Sequence, residues 1–218
     1  ITLVKKHNPV ARICVTGQTD VDKQAAELLQ DFVKRISKAN LPIVYGDKVR
    51  KGDVVIGEMN TDAGEDGFSL TTEGGCLYVR TGGDKGSIYG VVTLLEKWLG
   101  VSYYAKNAYT FRPMETIELP ALAHQETPAF RYRQTFSYGN EDSIYRMWFR
   151  LEEPKEMFIG NLWVHTFNRI LPSDVYGKEH PEYYSFINGE HRPGHNSQWC
   201  LTNPDVYDAA VKSLDSIF

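Results

Sequence analysis

The chain changes character at residues 128–133, which read PAFRYR and close a stretch that three prolines interrupt. Before this stretch, strand and helix signals follow one another in an order that completes a small domain. After it, strand candidates lie further apart, and a second apolar run, NLWVHTF, occupies residues 161–167. Proline removes a backbone donor and disfavours helix in the preceding residue, so the stretch is typical of a connector. The sequence therefore predicts two domains, residues 1–120 and residues 121–218.

The predicted first domain contains a strand, a helix, a strand, a hairpin and a second helix. Strands are predicted at residues 11–16, 53–57, 67–72 and 76–80, because these runs are short, apolar and bounded by Gly, Pro, Asn or Asp. The first helix begins at Asp20, and its apolar residues recur at intervals of three and four: Val21, Ala25, Leu28, Leu29, Phe32, Val33 and Ile36. The second helix covers residues 85–99 and ends at Gly100. This order predicts an α+β sandwich, an antiparallel or mixed sheet with both helices on one face.

The predicted second domain repeats a different unit, a strand followed by a helix. Its strand candidates are residues 130–136, 160–167 and 198–201, with a hairpin or loop near Asn188-Gly189 and a helix from Asn203-Pro204. Such a repeat is the opening of a parallel α/β architecture. A complete (β/α)₈ barrel needs about 250 residues, and only about 90 follow the connector. The prediction is therefore the truncated start of a barrel.

Composition excludes several classes of partner. The 24 basic and 28 acidic residues give a net charge of −4, and no block of Lys or Arg could neutralise a run of phosphates, so nucleic acid is not expected. No apolar run approaches the roughly 18 residues of a membrane span. Cys14, Cys76 and Cys200 are widely spaced and suit small core residues. The histidines at 191 and 195 are separated by Pro-Gly, which prevents a helical ligand pair, so neither metal nor cofactor is expected.

Three stretches carry a family resemblance for the first domain. They are DGF at residues 66–68, GSIYG at residues 86–90 and LLEKWLGV at residues 94–101, and they resemble the non-catalytic domain that precedes the barrel in β-hexosaminidase-like and α-glucuronidase-like glycoside hydrolases. The linker of such enzymes ends in Pro-x-Phe-x-x-Arg, which here is Pro128, Phe130 and Arg133. The resemblance implies an accessory domain followed by a catalytic barrel.

Three motifs of the second domain resemble a narrower group. WVHTF at residues 163–167, HPEYY at residues 180–184 and CLTNP at residues 200–204 are similar to a group of gut bacterial proteins known as a domain of unknown function. Some members of that group are endo-β-N-acetylglucosaminidases that act on N-glycans. The resemblance implies that the intact protein hydrolyses β-linked N-acetylhexosamine bonds, with a glycan as its partner. It also implies a periplasmic or extracellular location, with a signal peptide removed ahead of Ile1.

The resemblance also implies roles for individual residues. The arginine that matches Arg133 binds sugar hydroxyls in the hexosaminidase-like enzymes, and a histidine that matches His165 lines the same subsite. Trp163 offers a flat ring on which a pyranose can stack. Each has a structural alternative: an ion pair for Arg133, a hydrogen-bonded structural role for His165 and core packing for Trp163.

The catalytic residues stay unknown from the sequence. Glycoside cleavage needs a carboxylic acid, and in the resembling families the acid/base carboxylates come from a strand that would lie beyond Phe218. The acidic pairs Glu65-Asp66 and Glu152-Glu153 lie in polar, loop-like surroundings and suit a solvated surface. The chain itself is therefore expected to be inactive. Two alternatives remain: an α-glucuronidase-like hydrolase, and a non-catalytic carbohydrate-binding or scaffolding module.

Overall fold

The computed structural model of the protein describes residues 1–46, 48–83, 85–135, 137, 141–152 and 158–218. Its contacts divide the chain into two compact units, unit 1 (Ile1–Leu151) and unit 2 (Glu152–Phe218). Each unit has its own cluster of buried apolar residues. The described residues between 121 and 151, which the sequence assigns to the second domain, belong to unit 1.

Unit 1 is a mixed α/β unit. Its helices are α1 (Asp20–Ser37), α2 (Gly86–Lys97) and α3 (Ser143–Phe149). Its strands are β1 (Thr2–Lys5), β2 (Asn8–Pro9), β3 (Ile13–Val15), β4 (Ile43–Tyr45), β5 (Val54–Met59), β6 (Phe68–Glu73), β7 (Cys76–Thr81), β8 (Ser102–Ala105), β9 (Ala108–Thr110), β10 (Ile117–Glu118) and β11 (Ala123–Glu126). The two predicted helices and the β6–β7 hairpin are confirmed.

The main sheet of unit 1 has six strands in the order β11-β6-β7-β5-β3-β4. The β4–β3, β3–β5 and β5–β7 pairs are parallel, whereas β6–β7 and β11–β6 are antiparallel. The sheet is therefore mixed. A three-stranded sheet, β10-β1-β2, and the β8–β9 hairpin complete the unit.

Helices α1 and α2 pack on the main sheet and on each other. A reciprocal capping box starts α1: the Thr19 hydroxyl accepts from the Asp22 N–H, and the Asp22 carboxylate accepts from the Thr19 N–H, both at 3.1 Å. The predicted apolar stripe of α1 is buried except at Val21 and Leu28, which are partly buried and pack against the core. In α2, a Cβ added at Gly90 would lie 2.7 Å from Cγ1 of Val79, so this glycine permits close approach of helix and sheet.

The end of unit 1 is held by the aromatic side chain of Trp148 in α3. The side chain is 1% exposed and stacks on Tyr103, with ring centroids 4.9 Å apart. Its Nε1–H donates to the Glu96 carboxylate at 2.8 Å. Arg150 donates to the other oxygen of Glu96 at 3.2 Å. These contacts to α2 and to the core explain why unit 1 extends to Leu151.

Unit 2 is built from short elements around a small core. Its elements are α4 (Phe167–Ile170), α5 (Ser173–Tyr176), β12 (Phe186–Ile187), β13 (Glu190–His191), α6 (Pro204–Asp215) and 3₁₀ turns at Ile159–Asn161 and Pro181–Tyr183. Its buried apolar residues are Leu171, Tyr183, Tyr184 and Val206. The predicted hairpin is confirmed, with Asn188 and Gly189 both at positive φ between antiparallel β12 and β13. The predicted last helix is also confirmed, since the Asn203 side chain accepts from the Asp205 N–H.

The predicted barrel strands are absent from the described residues. Residues 130–135 contain no strand, and Phe136 lies outside the described part of the chain. Residues 160–166 form a 3₁₀ turn and bends, and Phe167 begins α4. Gly160, Asn161 and His165 have φ of 62°, 58° and 50°, which an extended strand cannot accommodate. In place of a strand at residues 198–201, Trp199 makes one isolated antiparallel bridge to Tyr184. The parallel start of a barrel is thus not seen in the described residues of unit 2.

Candidate functional site

A cavity of about 750 Å³ lies within unit 2. Two segments, residues 164–169 and 195–198, form its wall. The residues that line it are Val164, His165, Thr166, Phe167, Asn168, Arg169, His195, Asn196, Ser197 and Gln198. Its volume falls within the range typical of small-molecule sites, about 300–1,000 Å³. We refer to it as the unit 2 cavity.

An aromatic stack joins the two segments of the unit 2 cavity. The ring of Phe167, at the start of α4, stacks on the ring of Trp199 with centroids 4.3 Å apart and planes inclined by 11°. Trp199 is also bridged to Tyr184 through the backbone, and Tyr184 belongs to the buried core of unit 2. The cavity wall is therefore anchored on the core of the unit.

The amide of Asn168 fixes the state of His195. Its Oδ1 accepts from the Ser173 backbone N–H at 3.0 Å, so its Nδ2 is the atom that faces Nδ1 of His195, at 2.9 Å. An amide nitrogen can only donate, so Nδ1 of this imidazole must accept. The proton of the neutral ring then lies on Nε2. Nε2 of His195 is accordingly a hydrogen-bond donor in this arrangement.

The cavity wall carries positive but no negative charge. Arg169 lines the cavity, and among the described residues that line it none is Asp or Glu. The Nη1 of Arg169 donates to the backbone carbonyl of Asn161. This bond connects the guanidinium to the turn that precedes the cavity.

The three predicted sugar-binding residues have different surroundings. His165 lines the unit 2 cavity and is exposed, and its positive φ gives it a backbone conformation that is uncommon for non-glycine residues. Such conformations cluster at functional sites. Trp163 is partly buried and does not line the cavity. Arg133 belongs to unit 1.

Arg133 forms the ion pair that the sequence left open as an alternative. Its Nη2 lies 2.5 Å from Oδ2 of Asp66, and the two side chains are only 15% and 8% exposed. Nη2 also donates to the Tyr89 hydroxyl at 3.3 Å, and Nε donates to the Arg150 carbonyl at 2.7 Å. The other oxygen of Asp66 accepts from the Lys85 N–H. Arg133 therefore ties the connector to α2 and to α3, and its predicted contact with a sugar stays a prediction.

The described members of the two acidic pairs have separate surroundings. Asp66 is committed to Arg133, and its neighbour Glu65 lies 3.6 Å from exposed Arg131. Glu152 is buried, and Glu153 lies outside the described residues. Within the described part of the chain, no three His, Cys, Asp or Glu side chains come together as metal ligands.

Sequence reasoning did not single out Asn168, Arg169 or Gln198. Residues 168 and 169 follow a run that was interpreted as a strand, and Gln198 opened another strand candidate. His195 was considered only as a metal ligand. These residues meet because the chain turns at positive-φ residues and returns through the β12–β13 hairpin. No spacing in the sequence indicates that juxtaposition.

Two family models match the chain. The model of the domain of unknown function DUF4838 matches residues 103–218, and the model of glycosyl hydrolase family 20, domain 2, matches residues 8–106. The N-terminal part of the chain is thus related to an accessory domain of glycoside hydrolases. No curated protein matches the chain. No helix among the described residues is both long and apolar enough to cross a membrane.

Solved structures of glycoside hydrolases are similar to part of the chain. A GH20 exo-β-N-acetylglucosaminidase from Vibrio harveyi, in complex with N-acetylglucosamine, is 20% identical over 61% of this chain and 17% of its own, with a TM-score of 0.41. A family GH115 4-O-methyl-α-glucuronidase with specificity for decorated arabinogalactans is 18% identical over 59% of this chain and 19% of its own, with a TM-score of 0.43. The chain spans less than a fifth of the length of either structure. Because the DUF4838 model matches more than half of the residues, the chain belongs to the DUF4838 family.

Proposed function

We propose that the chain is the N-terminal part of a glycoside hydrolase whose intact form hydrolyses β-linked N-acetylhexosamine bonds in glycans. The match of residues 8–106 to a glycosyl hydrolase family 20 domain supports the enzyme class. The resemblance of the motifs at residues 163–167 and 180–184 to N-acetylglucosaminidase-like proteins supports the sugar. A periplasmic or extracellular location, where a protein meets such glycans, is part of the proposal.

The unit 2 cavity is the observation that carries this proposal. Its wall combines an aromatic ring, Phe167, with amide, hydroxyl and imidazole groups that can donate to and accept from sugar hydroxyls. His165 stands at this wall with no hydrogen bond to another described residue, so its ring nitrogens are available to a ligand. In the proposed intact enzyme, His165 contacts the sugar at this cavity. The sugar contacts predicted for Arg133 and Trp163 stay predictions.

The described wall of the cavity contributes no group that could break the bond. Protonation of the leaving oxygen requires a carboxylic acid, and no Asp or Glu is among the described residues that line the cavity. On the family resemblance, we propose that the general acid comes from another part of the intact protein. On this proposal the chain binds glycans and does not cleave them.

The test uses the intact protein with 4-nitrophenyl N-acetyl-β-glucosaminide and 4-nitrophenyl α-glucuronide as substrates. Turnover of the first substrate supports the proposal. Turnover of the second alone supports the α-glucuronidase-like alternative, and turnover of neither supports a non-catalytic module.

A pair of histidine variants tests the cavity. His165→Ala should lower kcat/KM about tenfold or more, since it removes a hydrogen bond to the sugar in the transition state. His180→Ala is the control, because His180 lies in unit 2, pairs with Glu182 and does not line the cavity. Equal activity of the two variants would contradict a role of His165 at the sugar.

A further inference from the structure

Arg169 is the one permanently charged side chain among the described residues that line the unit 2 cavity. No carboxylate of the described residues forms an ion pair with it. The other arginine of unit 2, Arg192, behaves differently, since its Nη2 lies 2.8 Å from the Glu190 carboxylate. The positive charge of Arg169 is thus uncompensated at a wall that carries no acid.

The orientation of Arg169 leaves a carboxylate-binding edge available. Its Nη1 is occupied by the Asn161 carbonyl, whereas Nε and Nη2 donate to no other described residue. The Nε–Nη2 edge presents two parallel N–H donors, which match the two oxygens of a carboxylate. The chain itself shows this geometry at Arg12, whose Nε and Nη2 donate to the two oxygens of Asp53 at 3.0 Å and 2.6 Å.

Neutral donors accompany this charge. His195 offers its Nε2–H because Asn168 holds its Nδ1 as an acceptor. Gln198 and Asn196 add exposed amides to the wall. A ligand that suits the cavity therefore combines one anionic group with several hydroxyls, and a wall without carboxylates does not repel it.

We propose that the unit 2 cavity binds a sugar that carries a carboxylate, a uronic acid residue, with the Nε–Nη2 edge of Arg169 donating to that carboxylate. The neutral part of the sugar contacts Phe167 and the amides. This inference concerns binding by the chain and does not require that the intact protein hydrolyse N-acetylhexosamine bonds. A glycan with an acidic residue beside an N-acetylhexosamine would satisfy both.

The test measures binding of methyl β-glucuronide, methyl β-glucoside and methyl N-acetyl-β-glucosaminide to the 218-residue chain by ligand-observed NMR titration. We expect the glucuronide to bind at least about tenfold more tightly than the glucoside, the usual effect of a charge-assisted hydrogen bond. Arg169→Gln should abolish this preference. Arg192→Gln, the matched control in the same unit, should retain it.

Two further arms keep the test decisive. Arg169→Lys retains the charge but loses the fork, so it should keep only part of the preference for glucuronide, and it replaces Arg169→Gln if that variant does not fold. Glucose 6-sulfate tests the other source of an anionic group. Equal binding of glucuronide and glucoside, an unchanged preference in both Arg169 variants, or tighter binding of the sulfate ester than of the glucuronide would overturn the proposal.

Discussion

Trp148→Ala tests whether the segment after the connector is part of the unit 1 core. The indole is almost fully buried, stacks on Tyr103 and lies 5.1 Å from the ring of Phe32 between centroids. Its N–H is the donor to one oxygen of Glu96. The substitution therefore removes a large apolar group and leaves that oxygen with one donor fewer.

The expected cost follows from these contacts. Truncation of a buried aromatic residue to alanine costs about 3–5 kcal/mol, which includes the cavity left behind. Arg150 still donates to Glu96, so the carboxylate is not left unpaired and adds little. We expect unit 1 to lose about 4 kcal/mol of its free energy of unfolding, a large part of the total for a domain of this size.

Hydrogen exchange resolves this loss because it reports on each unit separately. A loss of about 4 kcal/mol raises the exchange rate of amides protected by global opening nearly a thousandfold. The increase should appear in α1 (Asp20–Ser37) and in the central strands of the main sheet. Amides of α6 in unit 2 should change little.

Phe130→Ala is the matched control, since this aromatic side chain belongs to the same segment but is 74% exposed. It should change the free energy of unfolding by less than about 0.5 kcal/mol. If Trp148→Ala has an effect as small as that of Phe130→Ala, residues 141–151 do not pack on unit 1 as described.

Three further predictions concern polar side chains. Arg133→Met should destabilise unit 1 by about 3 kcal/mol in urea unfolding, because it leaves the buried Asp66 carboxylate without its cation. The double variant Arg133→Met with Asp66→Asn should lose less free energy of unfolding than the sum of the losses of the two single variants. Burial raises the pKa of Glu126, but hydrogen bonds from a neighbouring lysine and histidine lower it by more, so the net pKa is lowered. The small stabilisation from Glu126 is present above its ordinary pKa of about 4.5 and is lost as pH falls through the lowered pKa of the folded state, and this loss should vanish from the pH dependence of Glu126→Gln. A hydrogen bond with the Thr202 hydroxyl lowers the pKa of the Cys200 thiol, so iodoacetamide should label Cys200 before the two buried cysteines. Thr202→Val should slow the labelling of Cys200. Equal labelling rates with and without the Thr202 hydroxyl would contradict this cause.

Local signals of the sequence were sufficient for much of unit 1. The start of α1 at Asp20 and its apolar stripe are both readable within one helix, and the two glycines after Glu73 specify the β6–β7 hairpin. The same holds for the Asn188-Gly189 hairpin of unit 2. These elements depend on residues only a few positions apart, so the sequence pattern and the structure agree.

Contacts between distant residues account for what the sequence did not predict. The extent of unit 1 depends on Trp148 and Arg150 reaching Glu96, about 50 residues earlier in the chain. The apolar run at residues 162–164 suggested a strand, but the positive φ of Asn161 and His165 turns the backbone on either side of it. The unit 2 cavity is lined by two segments that the β12–β13 hairpin separates in the chain. The periodicity of apolar residues does not predict that two such segments lie close together.

The central proposal is that the chain supplies groups that bind a sugar and that the carboxylates that break the bond come from another part of the intact protein. The most direct test is the rate at which the 218-residue chain hydrolyses 4-nitrophenyl N-acetyl-β-glucosaminide, measured beside the intact protein. The account predicts turnover by the intact protein and none above background by the chain. Turnover by the chain that disappears when one of its own Asp or Glu residues is changed would contradict it.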